Sequence, residues 1–194
     1  MVLKPDREGL TRAAQLLRGG GVVAFPTDTV YGLGADASDE LAQKRVFALK
    51  GRPVGMPLIL MAAAPSQLEG WVHIDTRAEA IIRKWWPGPL TLILHGRGGS
   101  TLGVRVPKHE IALELLRASG PLMTTSANLH GKEPAMTAEE ASALPGLAAI
   151  LDGGRASGGT PSTVLDLTGP EPHILREGAI PRDELLGPPP PRAG

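Results

Sequence analysis

Short apolar runs alternate with amphipathic stretches along most of the chain. Apolar residues that recur every three to four positions predict helices at residues 6–18, 39–50, 76–85 and 110–118. Uninterrupted apolar runs predict strands at residues 22–25, 58–61, 90–94, 102–106 and 122–124. Residues 137–140, TAEE, form a capping box, which predicts the start of one more short helix.

Strands that alternate with helices indicate an α/β fold with helices packed on a twisted sheet. Late strands, predicted at residues 148–151, 163–167 and 174–175, follow one another with little helical pattern between them, so we expect a mixed sheet. The prediction is a single-domain, open mixed sheet with flanking helices over residues 1–182. Residues 183–194 end in a proline run, which predicts a polyproline II tail outside the packed domain.

Composition and charge narrow the classes of function. The 194 residues include 20 basic and 20 acidic side chains and no cysteine. Zero net charge provides no chain-wide basic field for nucleic acid, and the lack of cysteine excludes disulfides, thiolate metal sites and a cysteine nucleophile. The N-terminus lacks a signal-peptide pattern, and no run approaches the ~20 apolar residues of a membrane span. We therefore expect a cytoplasmic protein that has no membrane partner.

The common nucleotide and hydrolase motifs are missing from the sequence. The glycine-rich residues 153–160, GGRASGGT, lack the Gly-Lys-Ser/Thr ending of a P-loop. His109 and Glu110 are not followed by the second histidine of a zincin, and there is no Gly-x-Ser-x-Gly elbow. The five histidines are scattered, so we expect structural or surface roles for them rather than metal binding.

Polar groups cluster where predicted strands end, and open α/β sheets bind ligands at such ends. Residues 26–34, PTDTVYGLG, place hydroxyls, a carboxylate and the single tyrosine after the strand at 22–25. Residues 124–128, TTSAN, place three hydroxyls and the only asparagine at the end of the strand at 122–124. Each segment fits either a ligand-binding loop or a hydrogen-bonded turn, and composition alone leaves both interpretations open.

Cationic side chains accompany these polar segments. Lys50 and Arg52 flank a glycine at a predicted helix end, where they fit either an anion site or favourable charges on the helix dipole. Arg105 has apolar neighbours and would need an anionic partner if it were buried, and Arg176 interrupts another apolar run. The residues thus predict a cationic pocket, edged by hydroxyls, for a small polyanion. They do not identify a reaction.

Seven segments, taken in order, resemble the YrdC/Sua5 family of threonylcarbamoyl-AMP synthases. They are residues 26–34 (PTDTVYGLG), 50–53 (KGRP), 86–91 (WPGPLT), 103–107 (GVRVP), 125–128 (TSAN), 162–164 (STV) and 175–176 (LR). The resemblance covers about residues 8–180, and the ordered set is specific although no single segment is. It implies the short form of the family, without the additional C-terminal domain of longer members.

The resemblance implies a nucleotidyltransferase. L-threonine, bicarbonate or CO2, and ATP would give L-threonylcarbamoyl-AMP and pyrophosphate, and a threonylcarbamoyl transferase complex would then modify adenosine 37 of tRNA. It implies that threonine is bound by Thr29, Arg105 and Ser162. It implies that ATP is bound by Lys50, Arg52, Thr101, Ser126, Asn128 and Arg176. The catalytic signature of the family falls on Lys50, Arg52, Ser126 and Asn128. Mg2+ is expected on the ATP phosphates rather than in a tight protein site, since the sequence shows no carboxylate cluster.

Two other functions remain open at this point. One is a non-catalytic RNA-binding module of the same fold, which would bind tRNA or double-stranded RNA directly. An aromatic content of 3% and zero net charge argue against it as the main role. The other is a carbamoyl-adenylating domain of the kind found in hydrogenase maturation proteins, which are larger chains with zinc-finger-like segments. The absence of cysteine argues against it.

Overall fold

The computed structural model of the protein describes residues 1–51 and 56–187. Within these residues the strands are β1 (Val2–Leu3), β2 (Val23–Phe25), β3 (Gly32–Asp36), β4 (Ile59–Met61), β5 (Leu90–His95), β6 (Thr101–Arg105), β7 (Leu122–Ser126), β8 (Ala149–Leu151), β9 (Thr163–Asp166) and β10 (His173–Arg176). The α-helices are α1 (Arg7–Arg18), α2 (Glu40–Lys50), α3 (Thr76–Trp85), α4 (Glu110–Ser119), α5 (Ala138–Ala141) and α6 (Arg182–Leu186). A 3-10 helix spans Pro65–Leu68.

Local sequence signals explain where the helices begin and end. α1 begins after Asp6, whose carboxylate accepts a hydrogen bond from the Gly9 backbone N–H at 2.9 Å. α2 ends at Gly51, which adopts a left-handed conformation with φ of 60° that favours glycine. This turn places the end of α2, with Lys50, beside the polar loops that follow β7.

All the strands of the described chain join one sheet in the order β1-β8-β2-β3-β7-β4-β6-β5-β9-β10. The pairs β1–β8, β2–β8, β4–β6 and β5–β9 are parallel, and the other five pairs are antiparallel. The prediction of an open mixed sheet with flanking helices is therefore confirmed.

The central strands divide their side chains between the core and an open face of the sheet. On β5, Leu90, Leu92 and Leu94 are buried in a cluster that includes Ala78 and Ile82 of α3. Thr91 and Ile93 point to the opposite face, because successive strand residues alternate sides. α3 therefore covers one face of this half of the sheet and leaves the other face accessible to a ligand.

The other half of the sheet is covered on both faces. Val23 and Phe25 of β2 pack in a cluster with residues of α1 and α4. Ala24, between them on the strand, faces a second cluster that contains residues of α2 and α5. The open face is thus bounded by α1 and α4 on one side.

The structure also differs from the sequence-based predictions. β1 and β3 were not predicted as strands, since β1 has two residues and β3 contains two glycines. α6 continues past the predicted domain boundary at residue 182, and its Leu185 and Leu186 pack against the buried cluster beside α3. The packed chain thus extends beyond that boundary. The rest of the predicted tail, 188–194, lies outside the described residues. Among the described helices, none is long and apolar enough to cross a membrane.

Candidate active site

A cavity of about 470 Å3 lies over the open face of the sheet. Its volume falls in the range typical of small-molecule sites. Seven strands that are neighbours in the sheet, β3-β7-β4-β6-β5-β9-β10, supply the floor of the cavity. The floor residues include Gly32, Ile59, Met61, Thr91, Ile93, Gly103, Arg105, Thr124, Ser126, Val164 and Arg176. Cross-strand register explains this set, because Ile59 lies opposite Gly103 and Gly103 lies opposite Ile93, on the same face.

Most of the predicted site residues meet in this cavity. Those that line it are Thr29, Lys50, Arg105, Ser126, Asn128, Ser162 and Arg176. Thr101 does not line it, since it begins β6, is exposed and lies four residues from Arg105, or about 13 Å along a strand. Arg52 lies outside the described residues.

Arg105 is buried at the inner end of the cavity and has a carboxylate partner. Its Nη2 donates to Asp28 Oδ1 at 2.6 Å, and its Nε donates to the Gly88 carbonyl at 3.0 Å. Burial lowers the pKa of the guanidinium, while the Asp28 charge opposes that shift and the Arg176 charge adds to it. Asp28 supplies the anionic partner that the sequence required, and its Oδ2 is buried without a hydrogen-bond partner among the described residues.

Two threonine hydroxyls adjoin Arg105. Thr29 Oγ1 accepts from Arg105 Nη1 at 3.2 Å and lies 3.0 Å from Thr27 Oγ1. Thr27 Oγ1 donates to the Val30 carbonyl at 2.6 Å. Both threonines are almost fully buried and both line the cavity. Arg105 and this pair of hydroxyls therefore form one connected polar group.

Arg176 lies near the cavity mouth on the edge strand β10. It is exposed, and its Nη2 donates to the Ser162 carbonyl at 2.8 Å and to Ser162 Oγ at 3.2 Å. Ser162 Oγ also lies 2.9 Å from Thr91 Oγ1. Partial burial lowers the pKa of Arg176. This arginine is thus held by neutral oxygens and remains accessible to a ligand.

Lys50 organises the loop after β7. Its Nζ donates to the carbonyls of Ser126 and Asn128 and to Asn128 Oδ1, the last at 3.1 Å. Ser126 Oγ in turn donates to Asn128 Oδ1. Three acceptors match the three donors of an ammonium group. Lys50 therefore fixes the shape of the loop as well as contributing positive charge to the cavity.

The glycine-rich segment 153–160 packs behind the threonine loop. Gly159 N–H donates to the Thr29 carbonyl at 2.8 Å. A β-carbon at Gly158 would lie 2.5 Å from the Asp28 carbonyl oxygen, so only glycine fits this close approach. Tyr31 Oη donates to the Gly154 carbonyl at 2.7 Å, and burial raises the pKa of this tyrosine. A segment without a P-loop pattern thus supports the inner end of the cavity.

Sequence reasoning missed several residues of the inner end as individual contributors. Thr27 and Asp28 belong to the polar segment at 26–34, but the segment alone did not show which of its side chains face Arg105. Thr91 belongs to the WPGPLT motif, and its contact with Ser162 depends on the pairing of β5 with β9. The motif could have identified Thr91 as a site residue. The pairing of β5 with β9 could not be predicted from the sequence.

The chemistry available in the cavity favours anionic ligands. The described lining residues offer three cationic groups, Lys50, Arg105 and Arg176, together with hydroxyl, amide and carbonyl groups. Fixed donors in a partly dry cavity stabilise negative charge more strongly than water does. The arrangement suits a reaction in which anionic groups are brought together.

Comparison with known proteins shows which family the chain is similar to. Residues 15–178 match the Sua5/YciO/YrdC family, described as "Telomere recombination". A protein of Pyrococcus abyssi named threonylcarbamoyl-AMP synthase is 45% identical over 186 residues. The match covers 89% of this chain, which spans only 55% of that relative's length.

Solved structures agree with the fold. P. abyssi Sua5 in complex with L-threonine has a TM-score of 0.91 and 40% identity, over 96% of this chain and 61% of that chain. Escherichia coli YciO has a TM-score of 0.84 and 32% identity, over 96% of this chain and 98% of that chain. The similarity thus covers the whole sheet and the cavity on it.

Proposed function

The chain belongs to the Sua5/YciO/YrdC family, and from this premise we propose that it is an L-threonylcarbamoyl-adenylate synthase. One observation carries the proposal. Seven residues that the family resemblance assigns to threonine or ATP line one cavity, in a chain similar to a P. abyssi protein solved with L-threonine. The reaction would be a nucleotidyl transfer from ATP to threonine-derived carbamate, with release of pyrophosphate.

We assign threonine to the inner end of the cavity. Arg105 has N–H groups that suit a carboxylate, and Thr29 and Ser162 offer hydroxyls nearby. ATP is assigned to the remaining predicted residues, which are Lys50, Arg52, Thr101, Ser126, Asn128 and Arg176. The exposed Arg176 and the loop held by Lys50 lie on the cavity side that is open to a larger ligand.

The proposed chemistry joins two anions. The neutral threonine amine attacks the carbon of CO2 and loses a proton to solvent, or attacks bicarbonate with release of water, and either route gives a carbamate. A carbamate oxygen then attacks the α-phosphorus of ATP. The bond from that phosphorus to the bridging oxygen breaks, and pyrophosphate leaves. Lys50 and Arg176 would reduce the repulsion between carbamate and triphosphate, while Arg105 would hold the threonine carboxylate. Holding both reactants in line would supply further rate. The carbamate is already anionic, so this step requires no general base.

We propose that Mg2+ binds the phosphates of ATP and is not held in a site of the protein. The described lining residues offer cations, hydroxyls and amides rather than carboxylates, a donor set that does not fit a protein-built Mg2+ site. The ion would therefore arrive with ATP and be held by its phosphates.

The product is a mixed anhydride, and we propose that a threonylcarbamoyl transferase complex consumes it to modify tRNA. The alternative of a non-catalytic RNA-binding module is not favoured, because the curated relatives carry the name of a synthase. Direct binding of tRNA or double-stranded RNA remains a proposal that the family similarity alone supports.

The test is pyrophosphate release from ATP and bicarbonate, measured with L-threonine, with L-serine and without an amino acid. We expect threonine-dependent release, and a loss of about 100-fold in Lys50→Ala, because the variant loses the positive charge beside the transition state and the contacts that hold the loop after β7. Lys44→Ala, an exposed lysine on the same helix α2, is the matched control and should retain full activity. Equal release with every amino acid from a folded sample would refute the proposed function.

A further inference from the structure

We propose that Thr27 is a positioning residue, which fixes the proton of the Thr29 hydroxyl so that Thr29 presents only an oxygen lone pair to the cavity. Thr29 then binds the α-amino group of the substrate rather than its carboxylate. The inference rests on the proposed function and deepens it, because it states which chemical group of the amino acid each inner residue recognises.

The first step concerns the proton of Thr27. Its Oγ1 lies 2.6 Å from the Val30 carbonyl oxygen, which has no hydrogen to offer. A threonine hydroxyl has one hydrogen. Thr27 therefore donates its hydrogen to Val30 and has none left. The backbone N–H groups of Thr29 and Val30 also point at this oxygen, at the longer distances of 3.2 and 3.3 Å. They share one of its two lone pairs, which leaves the other for a further donor.

The second step concerns the proton of Thr29. The two threonine oxygens are 3.0 Å apart, and they would repel each other at this distance without a hydrogen between them. Because Thr27 has already donated its hydrogen, the hydrogen between them comes from Thr29. The hydroxyl of Thr29 is thereby directed away from any ligand.

The oxygen of Thr29 has two lone pairs that can accept hydrogen bonds. One lone pair accepts the Arg105 Nη1 hydrogen at 3.2 Å, and a hydroxyl oxygen has two. The second lone pair is left for the cavity, which Thr29 lines. A group that approaches this oxygen must therefore donate a hydrogen, as an ammonium or a carbamate N–H does, and a carboxylate would be repelled.

Arg105 completes the recognition. Three of its five N–H hydrogens are used by Asp28, Gly88 and Thr29, which leaves one on Nη1 and one on Nη2. Donors for a carboxylate thus lie next to an acceptor for an amine, since Arg105 Nη1 and Thr29 Oγ1 are 3.2 Å apart. An α-amino acid fits this pair of groups, both before and after its nitrogen becomes a carbamate.

Ser162 provides an internal contrast. Its Oγ accepts from Arg176 and lies 2.9 Å from Thr91 Oγ1, where either hydroxyl can be the donor. Within residues 1–51 and 56–187 no carbonyl accepts its proton, so Ser162 is able to donate or to accept. Recognition of the amine is therefore specific to the pair formed by Thr27 and Thr29.

The test compares ligands with and without the α-amino group. Binding of L-threonine to the purified chain is measured by calorimetry, and binding of 3-hydroxybutyrate, which lacks the amine, by competition NMR. In Thr27→Val the Kd for threonine should rise at least tenfold, the effect of a hydrogen bond to a charged group, while the value for 3-hydroxybutyrate should change less than about twofold. Thr27→Ser keeps the hydroxyl and should restore threonine binding.

The outcomes separate this inference from the proposed function. Unchanged threonine binding in Thr27→Val, or an equal loss for both ligands, overturns the role of Thr27. If the valine variant does not fold, Thr27→Ala takes its place in the same comparison of threonine and 3-hydroxybutyrate binding. Wild-type binding of threonine without pyrophosphate release refutes the synthase but leaves the inference standing. A wild-type chain that does not bind threonine refutes both.

Discussion

The two arginines of the cavity are held in opposite ways. Arg105, at the inner end, is 3% exposed and bonded to a carboxylate 2.6 Å away. Arg176, at the mouth, is exposed and bonded to the carbonyl and hydroxyl of Ser162. Both face the same cavity, and the charge of Arg176 contributes to lowering the pKa of Arg105. The inner arginine has fixed direction and little net charge, while the outer one has net charge and more freedom.

This difference separates two kinds of recognition. A buried arginine neutralised by Asp28 selects ligands by the direction of its remaining donors. An exposed arginine attracts anions over distance, and salt at about 0.1 M largely screens that attraction beyond about 10 Å. We therefore expect replacements at the inner site to affect stability and selectivity, and replacements at the mouth to affect the affinity for a polyphosphate.

The largest effect is expected at the inner pair. Arg105→Leu leaves Asp28 buried without its partner and should lower the free energy of unfolding by about 3–5 kcal/mol in denaturant titrations. The double variant with Asp28→Leu removes both charges and should recover at least half of that loss, yet bind no threonine. A double variant less stable than the single variant would show that the ion pair is not what the stability depends on.

A smaller and purely functional effect is expected at the mouth. Arg176→Ala should change the free energy of unfolding by less than about 1 kcal/mol, as surface replacements do. In the pyrophosphate assay its KM for ATP should rise about tenfold at low salt, and added salt should reduce the difference because it screens the wild-type attraction. Arg176→Lys is the control that keeps the charge. A salt-independent effect would place Arg176 with the inner site.

The smallest effect concerns His109, whose charge interacts with Asp28 behind the inner pair. Burial lowers the pKa of His109 below its ordinary 6.5, and the charges of Asp28 and Glu110 oppose this shift. The unfolded chain therefore binds the proton more readily, and stability is lost as the pH falls below about 6.5. His109→Gln should lose less stability than the wild type between pH 7.5 and 5.5 in thermal unfolding. An equal loss in both would exclude His109 as a source of acid sensitivity.

The sequence predicted the polar parts of the site better than their arrangement. Lys50, Ser126 and Asn128 were predicted as one signature, and the structure joins them by direct hydrogen bonds. Arg105 was expected to need an anion if buried, which the ion pair with Asp28 confirms. The expectation for Arg105 depends on local chemistry, a charge in an apolar run, whereas the signature came from the family resemblance. The ligand roles of these residues stay predictions.

The arrangement depends on strand order, which local pattern does not contain. β5 lies between β6 and β9, so Thr91 reaches Ser162 across 71 positions of sequence. β3 was not predicted because its glycines lower the strand propensity, yet it pairs with both β2 and β7. Thr101 shares β6 with Arg105 but lies too far along the strand to line the described cavity. Tertiary pairing decided each of these cases.

Successive side chains of β5 alternate between the core and the cavity, and this alternation affects which substitutions the protein can accept during evolution. The core side of the strand carries Leu90, Leu92 and Leu94. The cavity side carries Thr91 and Ile93, which line the candidate ligand site. A substitution at either cavity position alters what is bound without opening a void beneath the sheet. One strand thus carries two sets of positions under separate constraints, core packing on the side of α3 and ligand contact on the side of the cavity. A sheet built in this way can acquire a new ligand specificity while its fold stays the same.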